Sequence, residues 1–587
     1  MDALPLTTNM KVDRGALPAA GAGRTGTGDA GEVRPYSEAE ALLARIWEEV
    51  LGVEGIGPEE NFFDLGGDSV LSIQVCARAR RRGLHLTARE IFEHATISRL
   101  AAVARWESHR GGEQDLVVGP VPLTPTQRCF FEQGPTNPAL YAMSLVLEVE
   151  RALDPALLSA AVERLIIHHD ALRLRFTRSG GEWEQKSALP EGGVPVRRVD
   201  LRNVKGAALS EAVTAVDAEL RQSLNLSRGP LVSVASIECG RRRKSLVSVV
   251  AHHLVCDTVS AHILLDDLEA TYRQLALGKP LILPPKTASF REWSEQLTGY
   301  AQSPECRAGI PYWLGQLEDT SCGLPVDLPG GANRDDLVRT ACARVGANET
   351  EALVHGATGA TRSRHATAKE LLLGAFIHAI ALWHGTRSLA IYIESHAREE
   401  LCPGLDVSRT VGWFACGYPV KFDVSAERPV RDTVDNVRHV LSNVPGNGLG
   451  YGALRYLTGD QQAAELRACP IPEVKFNYLG IVGFGHRRPR MFIRPRVPNT
   501  RQAVVFPERR HPLEVTAFVM DGCLHVTVAY SEGIHHPATI HRLLSRFVAS
   551  LRLLASGDDG TEGRWRVRDR RHSAPRRPLG LACEGSD

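Results

Sequence analysis

The chain is cut twice by segments too rich in glycine and polar residues to hold a core. Residues 19–34 (AAGAGRTGTGDAGEVR) and 107–120 (ESHRGGEQDLVVGP) read as linkers. Whatever folds between them must fold by itself, so the architecture is multidomain. The piece between them is about 70 residues, a size that folds alone only marginally. The piece behind them is about 435 residues, beyond the roughly 250–300 at which a single core stops growing.

Composition narrows the class. Hydrophobic residues at 43% and charged residues at 23% exclude wholesale disorder. A formal net charge of +1 argues against a nucleic-acid binder that works through a basic field. No apolar run approaches the ~20 residues that span a bilayer. Met1–Pro18 lacks the apolar centre of a signal peptide, so the expected address is cytoplasmic. The 12 cysteines form no CxxC pair and no zinc-type spacing. No metal site is expected, and the thiols read as small buried hydrophobes or free thiols.

The shorter piece is helical. Ser37 and Glu40 form a capping-box pattern before ALLARIWEEVLG, where Leu42, Leu43, Ile46, Trp47, Val50 and Leu51 recur at helical spacing. Further helices are expected from Ser69, over 87–93 and over 97–106. The longer piece interleaves helices (154–169, 208–224, 259–277, 368–384, 538–554) with β-branched runs (144–150, 244–253, 388–395, 525–531). That alternation reads as α/β material in two lobes. Residues 557–587 are rich in Arg, Gly and Pro and read as a disordered tail.

Two strings carry chemistry. In FFDLGGDSVLSIQ (62–74), Gly66 and Gly67 let the loop turn tightly before Ser69, at the mouth of a helix whose N-terminus favours a bonded anion. The plainer reading is an N-cap at Asp68 or Ser69. In VSVVAHHLVCDTVSAHILLDDL (247–268), His252 and His253 end an apolar strand and Asp257 follows at a strand-to-helix turn. Buried strands hold side chains rigidly, and histidine titrates near neutral pH, which suits general acid–base work. The plainer reading is a satisfied core histidine beside a capping Asp. The pairs His168–His169 and His535–His536 read as structural.

The first string resembles the carrier-protein motif of nonribosomal peptide synthetases, over about 36–106. The resemblance implies a small four-helix-bundle carrier domain with 4′-phosphopantetheine on Ser69. Asp68 resembles the GGDS form found in carriers upstream of epimerization domains. LPLTTNMKVDRGALP (4–18) resembles the closing motif of an adenylation domain. Lys11 alone cannot build a nucleotide site and is given no catalytic role. The 1–18 stub and the 19–35 linker imply an upstream adenylation domain or protein.

The second string resembles the HHxxxDG motif of the condensation-domain superfamily, over about 121–556. The resemblance implies two chloramphenicol-acetyltransferase-like lobes divided near 295–340, with His253 catalytic and His252 and Asp257 supporting. Thr258 stands where the family has Gly. Had that Gly served a positive φ, a β-branched Thr would strain the turn. Five downstream strings resemble the epimerization branch: LILPPKTASFREW (281–293), IESHAREE (393–400), RTVGWFACGYPV (409–420), PGNGLGYGALRYL (445–457) and KFNYLG (475–480).

Inverting an α-carbon needs proton transfer on two faces and fixed donors for the charge on the thioester oxygen. By resemblance, His253 and Glu394 serve the faces. Asn477 and Tyr478 are candidate donors, and Arg398 pairs with a carboxylate such as Asp257 or Glu399. The implied activity is L-to-D epimerization of a carrier-bound aminoacyl or peptidyl thioester. Implied partners are a phosphopantetheinyl transferase and a downstream condensation domain or protein. The competing readings are amide-bond formation and an inactive carrier-and-docking module. The second is motivated by Thr258, Ser395, Ala397 and Ala261, each a departure from the family pattern.

Overall fold

A computed structural model describes residues 37–556 apart from short stretches, the longest being 356–365, 483–490 and 497–505. The 1–18 stub with Lys11, the 19–35 linker, Asp68, residues 107–111, Glu399 and the 557–587 tail lie outside the described residues.

The amino-terminal unit is built on four helices. Helix α1 (Glu38–Leu51) opens with the capping box, Glu40 N donating to Ser37 Oγ at 3.2 Å and Ser37 N to Glu40 Oε2 at 2.7 Å. It buries Leu43, Ile46 and Trp47 against α2 (Ser69–Arg80), α3 (Ala88–Glu93) and α4 (Ile97–Val103). Helix α4 stops three residues short of the expected 106. Arg105–Trp106 (β2) instead pairs antiparallel with Leu84–His85 (β1). A two-residue ribbon is too short to leave a periodic signal in sequence.

The larger unit has two main sheets. Its first lobe contains β3 (Gly119–Val121), β4 (Ala142–Val149), β5 (Leu174–Ser179), β6 (Glu182–Ser187), β7 (Arg197–Asp200), β8 (Val232–Glu238) and β9 (Ser245–His252). Its second lobe contributes β10 (Val338–Val345), β11 (Ser388–His396), β12 (Ala415–Asp423), β13 (Val474–Ile481), β14 (Phe492–Arg496), β15 (Leu513–Met520) and β16 (Cys523–Ser531). The strand orders are β14-β4-β9-β8-β7, β3-β6-β5 and β10-β16-β15-β13-β11-β12. Strand β14 falls between β13 and β15 in the chain, yet leaves their sheet to pair with β4. The second lobe thus clasps the first.

Burial explains these assignments. Along β15, Leu513, Val515, Ala517 and Val519 are buried and the residues between them half-buried, the alternation of a one-faced strand. Strand β9 is buried almost throughout, as a strand covered on both faces should be. In the first lobe, α5 (Pro125–Glu132), α6 (Pro155–His168) and α8 (Thr258–Ala276) share the main core, while α7 (Ala207–Gln222) closes a satellite core over Val146, Leu246 and Val250. Two lobes do not mean two cores: one apolar cluster runs from Val121 to Leu554 through both. Among the described residues no helix is long and apolar enough to cross a membrane.

Candidate active site

The end of β9 delivers two histidines with different environments. His252 is fully buried, its Nδ1 accepting from Leu254 N at 3.1 Å and its Nε2 donating to the Pro138 carbonyl at 2.8 Å. That network assigns the Nε2–H tautomer. Burial lowers its pKa to about 4, so it is a neutral structural ring. His253 is turned the other way. Its ring stacks on Tyr141 (centroids 5.0 Å, 15°) and lies 4.8 Å from Trp413 of the second lobe. Its Nδ1 is buried, with its own carbonyl acting on it short of hydrogen-bond geometry. Nε2 is the nitrogen left to the site. Burial pulls the His253 pKa down; its own carbonyl, Glu394 and Asp257 oppose this only partly, and Lys475 adds to it. The ring is therefore a neutral proton acceptor near pH 7.

Asp257 does not orient that ring. It caps α8, accepting from Ser260 N at 2.7 Å, and also accepts from Phe414 N at 3.1 Å. Arg398 donates to both its oxygens at 3.0 and 3.2 Å. The same guanidinium, its side chain fully buried, donates to the Val407 and Thr410 carbonyls and to Ser260 Oγ. It also lies 4.0 Å over the Phe414 ring. Asp257 and Arg398 therefore pin the second lobe to the histidine turn. Thr258 is the first residue of α8 and is not among the positive-φ residues, so the feared strain is absent.

Across the lobe boundary, β11 carries Glu394. Register places Ile393 beside Phe476 of β13, so Glu394 shares a sheet face with Lys475 and Asn477. Lys475 Nζ approaches Glu394 Oε2 to 2.7 Å, an ion pair off hydrogen-bond alignment. Burial works against the Lys475 charge, but Glu394 and Glu514 outweigh it and raise its pKa, keeping the ammonium. Glu514 is held in turn by Arg509 at 2.7 Å. Tyr478 lies on the opposite face of β13, paired with buried Ala517 and packed against the core. The charges of Glu394 and Lys475 act on both His253 and Tyr141, whose rings stack on each other.

At the amino-terminal unit, Gly66 adopts φ +94°, and a Cβ on Gly67 would sit 2.3 Å from the Phe62 ring. The loop before Ser69 can therefore carry no side chain at either position. A serine opening a 12-residue helix, whose free N–H groups favour an anion, just after the Gly66–Gly67 turn fits a phosphodiester-linked arm.

Two family profiles match. Residues 41–104 match the phosphopantetheine attachment site, and residues 117–566 match the condensation domain. The chain belongs to the condensation-domain family. It is a carrier domain, which takes a covalent 4′-phosphopantetheine, followed by a condensation-type domain of nonribosomal peptide synthetases. Chondramide synthase cmdD of Chondromyces crocatus is 38% identical over 94% of this chain, and tyrocidine synthase 1 of Brevibacillus parabrevis 33% over 92%. The chain spans 14% and 50% of their lengths. The epimerization domain from the third module of tyrocidine synthetase B superposes with TM-score 0.66 at 30% identity, covering 76% of this chain and 98% of that one. The SgcC5 protein from Streptomyces globisporus (TM-score 0.59, 18% identity, 74% and 98%) shares the fold.

Within this condensation-type domain Glu394, Lys475 and Asn477 share one sheet face, the charges of Glu394 and Lys475 act on His253, and Asp257 with Arg398 ties the turn after His253 to the second lobe. The structure leaves Tyr478 outside this group. Sequence reasoning missed Lys475, which stands two residues before Asn477 and so on its face of the strand. It also missed Tyr141 and Trp413 as the walls of His253. His168, His169 and Asp267 have ligand-type atoms within 4.8 Å of one another, but the Asp267 oxygens go to His169 at 3.0 Å and Arg409 at 2.5 Å, making an ion-pair node.

Proposed function

We propose that this chain epimerizes, at Cα, an aminoacyl or peptidyl group held as a thioester on its own carrier domain. One observation supports the reading: the His253 ring of the first lobe packs on Trp413 of the second and feels the charge of Glu394 on that same lobe. Inversion needs two proton-transfer groups, because the proton must leave one face and return to the other. The likeness to the tyrocidine epimerization domain supports it.

Ser69 is the residue that bonds the pantetheine arm, which supplies a thioester that acidifies the Cα–H. One member of the His253/Glu394 pair removes that proton as the base, and the other, having first taken up a proton from solvent, delivers it to the opposite face. Reversal of direction swaps the roles. Negative charge gathers on the substrate carbonyl oxygen, and Lys475 and Asn477 on the Glu394 wall supply positive charge and a donor in a site walled by aromatic rings. Tyr141 and Trp413 hold the His253 ring so that Nε2 faces the substrate.

The chain would act between an upstream adenylation domain or protein, which loads the carrier, and a downstream condensation domain or protein. A phosphopantetheinyl transferase would prime it. The test is chiral analysis of the amino acid released after loading with the L form. A growing D fraction is expected. Retention of pure L, or dipeptide formation when a second loaded carrier is supplied, sinks the reading in favour of an inactive module or a condensing enzyme.

A further inference from the structure

The carrier is fastened to the condensation-type domain at a defined place. Arg80, at the end of α2, forms an ion pair with Asp406 at 3.1 Å, with side chains only 9% and 7% exposed. Burial pushes up the pKa of Cys76, one turn earlier, and the Asp406 carboxylate adds to the rise, so that turn of α2 faces the same loop. Asp406 is itself fixed: its Oδ1 accepts from Ser408 N at 2.9 Å and its carbonyl from Ala288 N at 2.7 Å. Residues 286–288 also hold the inter-domain linker. Gln114 exchanges two 3.0 Å hydrogen bonds with the Lys286 backbone, Lys286 Nζ donates to the Asp115 carbonyl at 2.8 Å, and a Cβ on Gly112 would lie 2.2 Å from the Thr287 carbonyl oxygen.

The linker from Gly112 onward is therefore a strap, whereas its sequence reads as a free tether. Gly112 follows Trp106 by six residues, a reach of at most roughly 20 Å. The carrier is thus kept beside the surface that Arg80 contacts, at high effective concentration. At 100° per residue, positions 69, 76 and 80 fall within about 40° of one another around α2, and positions 69 and 80 are about 16 Å apart along it. The flank that meets Asp406 is the flank that carries position 69.

We propose that Arg80 and Asp406 are the docking latch of this chain, seating the carrier on the loop around residues 405–410 so that the Ser69 flank of α2 faces the condensation-type domain. The partner is the chain's own carrier. The contact suits a carrier that must also leave, since both charges hydrate when they separate.

The latch rests on the epimerase reading only for its catalytic consequence, and the test separates the two. In the full pantetheinylated chain, R80E, D406R, D406N and the swap R80E/D406R are compared by amide hydrogen exchange over α2 and 405–410. The same variants are assayed for solvent deuterium uptake at Cα of the carrier-bound substrate and of a diffusible aminoacyl-pantetheine thioester. D406N retains the acceptor for Ser408 N and guards against misfolding. Priming by the transferase confirms a folded carrier. The single variants should lose amide protection on both surfaces and slow uptake by the carrier-bound group roughly tenfold or more. The diffusible thioester should be unaffected, and the swap should recover protection and rate. Unchanged protection in all singles, or a swap no better than either single, overturns the latch. Normal latch behaviour without uptake from either substrate leaves the latch standing and removes the epimerase.

Discussion

At the residue scale, the site rests on a few side chains whose neighbours decide their chemistry. His253→Ala and Glu394→Gln should each lower Cα exchange by about 10²–10⁴-fold, the usual contribution of a general acid or base, while carrier priming is unchanged. Lys475→Met should lower it about 10²-fold or more if its charge meets the developing carbonyl charge, whereas a merely structural lysine would lower stability and leave the rate of the folded fraction intact. Comparing rate with thermal stability in that variant separates the outcomes. His253 and Glu394 stand out as candidates because each sits in a quotable string at a strand end. Lys475 does not, because a lysine in a strand ordinarily signals a solvated edge, and its partner Glu394 is remote in sequence. Asn477 and Tyr478 show the reverse failure. They are neighbours in the chain but project from opposite faces of β13, as strand alternation requires.

At the element scale, the Asp257–Arg398 hub joins the cap of α8 to the loop at 407–414. Arg398 meets Asp257, Ser260, Val407 and Thr410 with one planar fork, a geometry lysine cannot reproduce. Arg398→Met leaves a buried carboxylate without its cation and should destabilise the domain by about 3–5 kcal/mol, read by denaturant unfolding. Gly67→Ala should destabilise the carrier by about 1–3 kcal/mol through overpacking against Phe62, visible as an earlier thermal transition for that domain. The long helices and central strands were legible from periodicity alone. The β1–β2 ribbon was not, being two residues on each side, and neither was the strap at 112–115, whose hydrogen bonds reach residues 286–288 far along the chain. Thr258 carries no penalty because the family's glycine position is here an ordinary helical one.

At the scale of the whole molecule, the two lobes behave as one body, since a single apolar cluster crosses them and β14 of one completes the sheet of the other. That body contains neutral histidines, His252 and His511 buried and His396 half-buried. His252, His396 and His511 have pKa values lowered, chiefly by burial, to about 4. The unfolded chain takes up protons below its usual histidine pKa of about 6.5, and the folded chain does not until about 4, so stability present above pH 6.5 is lost as pH falls toward 4. His252 alone contributes about 3 kcal/mol to that loss, and denaturant midpoints at pH 7 and pH 5 should show the domain weaker at the lower value. The α/β class and the carrier bundle were legible before any coordinates. The continuous core and the strand exchange were not, because they depend on contacts between segments far apart in the chain. The most direct measurement is solvent deuterium incorporation at Cα of an L-aminoacyl group loaded on the pantetheinylated chain in D2O. The expected result is incorporation accompanied by D enantiomer, abolished by His253→Ala and Glu394→Gln together. No incorporation in the unmutated chain, or incorporation that persists in the double variant, would contradict the assignment of these two residues to epimerization.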